Sequence, residues 1–391
     1  MTFVVCLIAA WAAASVTLAT PSEPQADAAA DTPQRVVVAQ DGSGDVNGDD
    51  QRALQAAVDR LGPGGGTVVV RPGRYWSRAS LRVGSGVRLE GEPGALLQLP
   101  SPKRVTVAAA AGARRLVLSD TEGIAPDTAL QLVPPEDQTT FDGTSEMISF
   151  VLIAAVDEEG VDLSEPLPYA IPPRSRFGYP FKMIWASRAD DVSITGLAFD
   201  GGMREDLPMP GHHQRSAIWI DAHFSKREGP IHEPVARASV RACHFTNFYG
   251  RGVAFYNAVD AEVVACRFRN INDEAIDFDH WCFRCRATGN EISNALWGIA
   301  INDASDCVVE HNFLRDCDVG ITIWWLPAVP PEGLNENNVV RGNFVYGSRE
   351  ALTVLRNARR NHLLENVLQG AFHVVEDDNL IERNTLVEAD R

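Results

Sequence analysis

Residues 271–325 read INDEAIDFDHWCFRCRATGNEISNALWGIAINDASDCVVEHNFLRDCDVGITIWW, and two patterns recur in them. One is a small residue followed by alternating apolar positions: Ala275-Ile276-Asp277-Phe278-Asp279, Gly298-Ile299-Ala300-Ile301-Asn302 and Gly320-Ile321-Thr322-Ile323-Trp324. The other is an aliphatic residue, two free positions and an Asn, as in Val309-x-x-Asn312-x-Leu314. Ala275, Gly298 and Gly320 lie 23 and 22 residues apart. Self-similarity at that period marks a solenoid, whose units bury their apolar faces only by stacking on one another.

The register extends outward from this stretch. Upstream it takes in Ala217 and Gly252, and downstream Ala351 and Ala371. The second pattern gives a column of Leu197, Cys243, Cys266, Asn290, Asn312, Asn343, Asn366 and Asn384, each with an apolar residue two places on. Asn stacked on Asn at a tight bend lets each amide bond its neighbour and the adjacent backbone. Alternation without helical periodicity excludes helical repeats, and there is no fixed Leu framework of the leucine-rich kind. The fold class expected is all-β: a single-stranded right-handed parallel β-helix, with a short N-terminal capping helix and a small β insertion.

Composition fits that reading. The 391 residues carry a net charge of −17, and no basic stripe offsets it, which argues against nucleic acid as a partner. Residues 3–19 are apolar and precede a Pro/Ala/Asp-rich linker, which resembles a secretory leader cleaved after Ala19. A membrane anchor is the alternative for that run, near the lower limit for spanning. The expected location is secreted or periplasmic, with no membrane span in the mature chain. Removing the leader leaves six Cys. Cys243 and Cys266 fall in one column on neighbouring rungs, roughly 4.8 Å apart, within reach of a disulfide. Cys282 and Cys285 have CxxC spacing but no second pair at zinc-site distance, so disulfides or buried thiols are expected.

Four segments follow. Residues 1–30 are leader and linker, and 31–103 are the N-terminal cap and first rungs. Residues 104–176 are a β-rich insertion, and 177–391 are the main rungs. A helix is expected over Gln51–Leu61, capped by Asp49 or Asp50, with Leu54, Ala57, Val58 and Leu61 on one face. Strands are expected at Thr67–Arg71, Val87–Glu90 and Leu96–Leu99. The rungs continue to Arg391, where the open strand edge would be covered by a folded-over tail, a continuation or a partner, a homo-oligomer among them.

Within each rung strand, alternation sends Ile276 and Phe278 inward and Asp277 and Asp279 outward to solvent. The same reading gathers Asp221, Tyr256, Asp277, Asp279 and Asn302 into one outward patch flanked by Trp219 and Trp324. His280, Asp303 and His223 lie just past the strand ends, and a loop with His212 and His213 overhangs. Carboxylates flanked by aromatic faces suit a polysaccharide: one acid and one base or nucleophile for glycoside hydrolysis, and rings to hold the sugars. Asp277 and Asp279 lie roughly 6.6 Å apart along the strand, and Asp221 and Asp279, two rungs apart, roughly 9.6 Å. Both suit inversion better than retention. Asp279 is the first catalytic candidate, Asp277 and Asp221 its partners, and Asn302, Tyr256 and His280 orient substrate or move protons. Trp219 and Trp324 hold sugar rings, with Asp303, His223 and His213 as further binding candidates. The bland alternative is the solvated face of any β-helix.

The N-terminal runs DGSGDVNGDDQRALQAAVD and GGGTVVVRPGRYWSRASLRVGSGVRLEGE resemble the first module of the pectate-lyase-like superfamily. That resemblance implies a right-handed β-helix and polysaccharide chemistry: lyases, inverting hydrolases such as polygalacturonases, uronan C5-epimerases, or phage tailspikes. In the polygalacturonase pattern the central acidic element would fall on Asp277-Phe278-Asp279 or on Asp273-Glu274. The Gly-His-Gly and Arg-Ile-Lys elements are absent, and Asp279-His280 only partly echoes the Asp-Pro-His of epimerases. A lyase or epimerase would use Tyr256 or His280 as base, with calcium held by Asp as candidate cofactor. The patch itself offers no Lys or Arg, with Arg251 at a strand end, so a neutral or weakly charged glycan is expected. An inverting glycoside hydrolase is therefore the first reading, a lyase or epimerase the second, and a non-catalytic glycan-binding β-helix the third.

Overall fold

Stacked β-bends, rather than any single element, carry this molecule. The computed structural model describes residues 34–133, 149–209, 215–225, 229–324, 335–376 and 378–388. The proposed leader at residues 1–30 and the His212–His213 pair lie outside the described residues.

Three parallel faces run the length of the rungs. The first begins at Arg35–Ala39 and passes through Gly66–Val70, Val87–Gly91, Ser193–Thr195, Ser239–Arg241 and Glu262–Val264 to Leu380–Glu382. The second takes Gly73–Trp76, Ala95–Gln98, Ala198–Asp200, His244–Phe248, Phe313–Arg315 and Phe344–Tyr346. The third takes Leu81–Arg82, Ile184–Ser187, Ile218–Asp221, Val253–Tyr256, Val319–Trp324, Glu350–Val354 and Ala371–Val374. Two long strands, Arg267–Asp279 and Glu291–Asn302, bend from the second face into the third. The chain is a right-handed parallel β-helix, the hand that parallel crossovers favour.

The core is made of inward columns. Ile184, Ile218, Val253, Ile276, Ile299, Ile321 and Leu352 stand in register on successive rungs and are fully buried. Beside them Phe199, Phe245 and Phe268 stack with centroids 4.9 and 4.6 Å apart. Burying each such side chain contributes about 1.5–3 kcal/mol, and no rung can bury its own without a neighbour.

Asparagine ladders hold the bends. Asn290, Asn312, Asn343, Asn366 and Asn384 pass amide hydrogen bonds down the stack at 2.9 Å each. A second ladder, not read from the sequence, runs Asn338, Asn361 and Asn379 at 3.0 Å. Residues before ladder Asn take a left-handed φ, among them His311 54°, Glu365 57°, Arg383 55° and Arg360 53°. L-residues resist that region, so the amide bonds on either side hold the bend closed.

The helix Gln51–Leu61 covers the first rungs, with Asp50 accepting the Arg52 amide at its N-terminus. Ala53, Leu54, Ala57, Val58 and Leu61 face inward. Residues 103–178 add a six-stranded antiparallel sheet. The sulfur expectation divides: Cys243, Cys266, Cys282, Cys285, Cys307 and Cys317 are all buried free thiols, so no disulfide links Cys243 to Cys266. Their columns are core positions, where a thiol packs as a small apolar group.

Candidate active site

The third face carries the polar cluster. Register places Ser187, Asp221, Tyr256 and Asp279 in one column on successive rungs, and the Asn302 amide donates to Asp279 Oδ1 at 2.7 Å. A parallel column runs Trp185, Trp219, Ala254, Asp277 and Ala300. Alternation aims these side chains away from the core, as read from the sequence.

Outward does not mean exposed, and here the expectation of a solvated patch is corrected. Asp277 is fully buried, Asp279 is 3% exposed and Tyr256 5%. The reason is Arg251, which lies at the rung corner and turns its guanidinium over the strand. Its Nε is 2.7 Å from Glu274 Oε2 and 3.5 Å from Asp273 Oδ2. Its Nη1 is 3.1 Å from Asp277 Oδ2 and 3.6 Å from Asp279 Oδ2 and donates to the Tyr256 hydroxyl. The statement that the patch holds no Lys or Arg is therefore also corrected: its centre is an arginine. Reading only strand positions missed it, because Arg251 reaches in from a turn.

Electrostatics follow from burial. Burial works to lower Arg251, but Asp277 and Glu274 outweigh it and hold the guanidinium well above its usual range. Glu274 is likewise desolvated, yet Arg251 pulls it down to about 2. Burial lifts Asp277 well above the usual carboxylate range. Asp273 is lifted too, by burial and then by Glu274. Burial pushes the Tyr256 phenol well up. Around one cation the cluster thus holds a strong anion, Glu274, beside carboxyls whose proton affinity burial raises.

The remaining expected residues divide into three groups. His280 joins the cluster, its Nδ1 2.7 Å from Asp303 Oδ2, both buried. Asp221, Trp219 and Trp324 are half-buried and form the accessible border. Trp219 stacks on Tyr256 at 4.5 Å, and Asp221 accepts from Trp185 Nε1 at 2.6 Å. His223 stands apart, exposed, with its ring 5.6 Å from that of His232. His213 lies outside the described residues. Residues not named from the sequence also belong here: Trp185, Lys182 and Phe224. Lys182 Nζ lies 4.0 Å from the Trp219 ring centroid and 4.9 Å from that of Trp185, and Phe224 stacks on Tyr256 at 5.4 Å. Trp185 was legible, since it stands in the Trp219 column one rung earlier.

Two neighbouring side chains here hold buried polar atoms without hydrogen-bond partners, Asn302 Oδ1 and Trp324 Nε1. Asn302 and Trp324 are register neighbours, so one open acceptor and one open donor adjoin. Unfilled buried polar atoms carry a cost that a polar ligand would remove. Calcium does not fit the same place. The Arg251 guanidinium already lies among the carboxylates, and no group of three or more metal-ligating side chains is arranged for an ion among the described residues.

Comparison with known proteins agrees with the fold. The family model described as right handed beta helix region matches residues 219–329, bearing out the resemblance to β-helix proteins. No curated protein matches the chain. Among solved structures, one described as a glycoside hydrolase is 11% identical over 86% of this chain and 90% of that one, with a TM-score of 0.46. PfbA, a surface adhesin of Streptococcus pneumoniae, is 13% identical over 86% and 87%, TM-score 0.42. An alginate lyase from Paenibacillus is 11% identical over 89% and 99%, TM-score 0.41. At such values none of the three assigns an activity. Among the described residues no helix is long and apolar enough to cross a membrane.

Proposed function

We propose that the chain is an exported polysaccharide-active enzyme, an inverting glycoside hydrolase whose working carboxylates are Asp279 and Asp221. The observation that carries this reading is the column Asp221, Tyr256, Asp279. Two rung spacings separate their backbone positions, roughly 9.6 Å, near the upper limit of the ~6.5–9.5 Å carboxyl separation that admits a water. Asp277 and Asp279 both lie against one Arg251 nitrogen, which ties Asp277 to the cation. Asp277 and Glu274 then position Arg251, which holds Tyr256 and Asp279 in place. Trp324 and the open edges of Trp185 and Trp219 offer apolar contact for sugar rings, and Asn302 and Trp324 offer the open acceptor and donor. The test is the anomer of the first product by proton NMR: inversion supports the reading, and retention overturns it.

Arg251 also favours a second reading, a lyase or C5-epimerase on a uronate. It supplies the positive charge whose absence counted against that chemistry, and it donates to Tyr256, a candidate base together with His280. Unsaturated products would establish a lyase, and inverted C5 stereochemistry without cleavage an epimerase.

A further inference from the structure

Beside the acid cluster, toward the N-terminal helix, the third face opens into a cleft of about 690 Å³. Trp185 and Ser187 line it from the sheet, Gln55 and Val58 from the helix, and Arg82, Arg188 and His223 from strand ends and turns. In a chain of net charge −17 this cleft is cationic. Arg82 lays its guanidinium 4.0 Å from the Trp185 ring centroid, and Lys182 bridges Trp185 and Trp219.

None of Arg82, Lys182 and Arg188 has a carboxylate within ion-pair distance among the described residues, unlike Arg237 with Asp191, Arg284 with Asp260, and Arg349 with Asp318. Asp59 is the one carboxylate among the described lining residues, and the Gln55 amide holds it at 2.9 Å. Arg82 and Arg188 are exposed, and Trp185 is half-buried between them and Lys182. Lys182 is itself half-buried, and burial lowers its pKa.

We propose that this cleft is a subsite for a sugar unit bearing an anionic substituent, with Arg82 and Arg188 contacting the anion and the open edge of Trp185 the sugar. The inference rests on the reading of the third face as a polysaccharide site and goes further. It makes the substrate a charged glycan, against the neutral one expected from the sequence, and assigns recognition of the charge to side chains rather than to a bound divalent cation. Carboxylate and sulfate share this chemistry, and the experiment separates them.

Calorimetric titration of the mature protein would use uronate oligosaccharides, their carboxyl-reduced counterparts, and sulfated and desulfated galactan oligosaccharides, each with calcium and with a chelator. At least one anionic member should bind tenfold or more tighter than its neutral counterpart, independently of calcium. That preference should fall with added salt and drop about tenfold in Arg188→Gln, with Arg82→Gln as the second, equally exposed variant. The uronate and sulfate arms identify the anion. Equal affinity for neutral and anionic partners, no binding of any anionic member, a preference that needs calcium, or one untouched by both variants would overturn the subsite. Product assays on the same samples keep the two ideas apart. Charged-glycan binding without cleavage keeps the subsite and removes the hydrolase, whereas cleavage of a neutral glycan without charge preference does the reverse.

Discussion

Arg251 Nη1 stands 3.1 Å from Asp277 Oδ2, an ion pair in which the arginine is 3% exposed and the aspartate wholly buried. Three further carboxylates, Asp273, Glu274 and Asp279, lie within 3.6 Å of the same guanidinium. A buried cation shared in this way is a fixed structural charge, and the behaviour of the site depends on it.

Removing it should be costly. Arg251→Met leaves the carboxylates buried without their counter-ion, which typically costs about 3–5 kcal/mol. Urea denaturation at neutral pH should show that loss, and the gap should narrow on acidification as the carboxylates take up protons. A loss below about 1 kcal/mol at neutral pH, the range of a surface ion pair, would mean that the pair is solvated and the site open.

Glu274 and Asp277 should respond to pH in opposite directions. Glu274 falls from 4.5 to about 2 on folding. Its stabilisation is therefore present above about pH 4.5 and disappears as pH falls toward 2. Glu274→Gln should destabilise at pH 7 and become neutral at the acid end. Asp277 is raised on folding, so it favours the folded state at low pH and loses that contribution as pH rises above 3.8. Asp277→Asn should match or exceed the native stability at neutral pH. Melting temperatures across the acid and neutral range measure both, and parallel curves for the two variants would refute the assignment.

Ladder asparagines should outrank surface ones. Asn312 gives its amide to Ala287 O and Asn343 Oδ1, and its own oxygen accepts from Asn290. Asn312→Ala leaves several buried groups unpaired, at about 1–3 kcal/mol each. Asn272, which is exposed, should cost under about 1 kcal/mol when changed to Ala, as surface changes away from such networks do. Chemical denaturation of the two variants compares them directly.

The fold was legible because a β-helix writes its period into the chain. The column from Asn290 to Asn384 and the small-residue register from Ala217 to Ala371 both stand in the order of the amino acids. The second ladder was hidden, since Asn338, Asn361 and Asn379 continue a column that earlier holds Cys285 and Cys307. The site was half legible. Alternation aimed Asp277 and Asp279 correctly but could not say what lies over them, because burial on the outer face is decided by turns. Arg251 is such a turn residue, and a side chain that folds back over a strand leaves no period in the sequence.

The most direct measurement incubates the protein and its Asp279→Asn variant with neutral, uronate and sulfated polysaccharides, reading new reducing ends and ultraviolet absorbance together. The expected result is reducing ends without absorbance from the native protein, lost in a folded Asp279→Asn. Absorbance rising with the reducing ends, or undiminished cleavage by Asp279→Asn, would contradict a hydrolase built on this column.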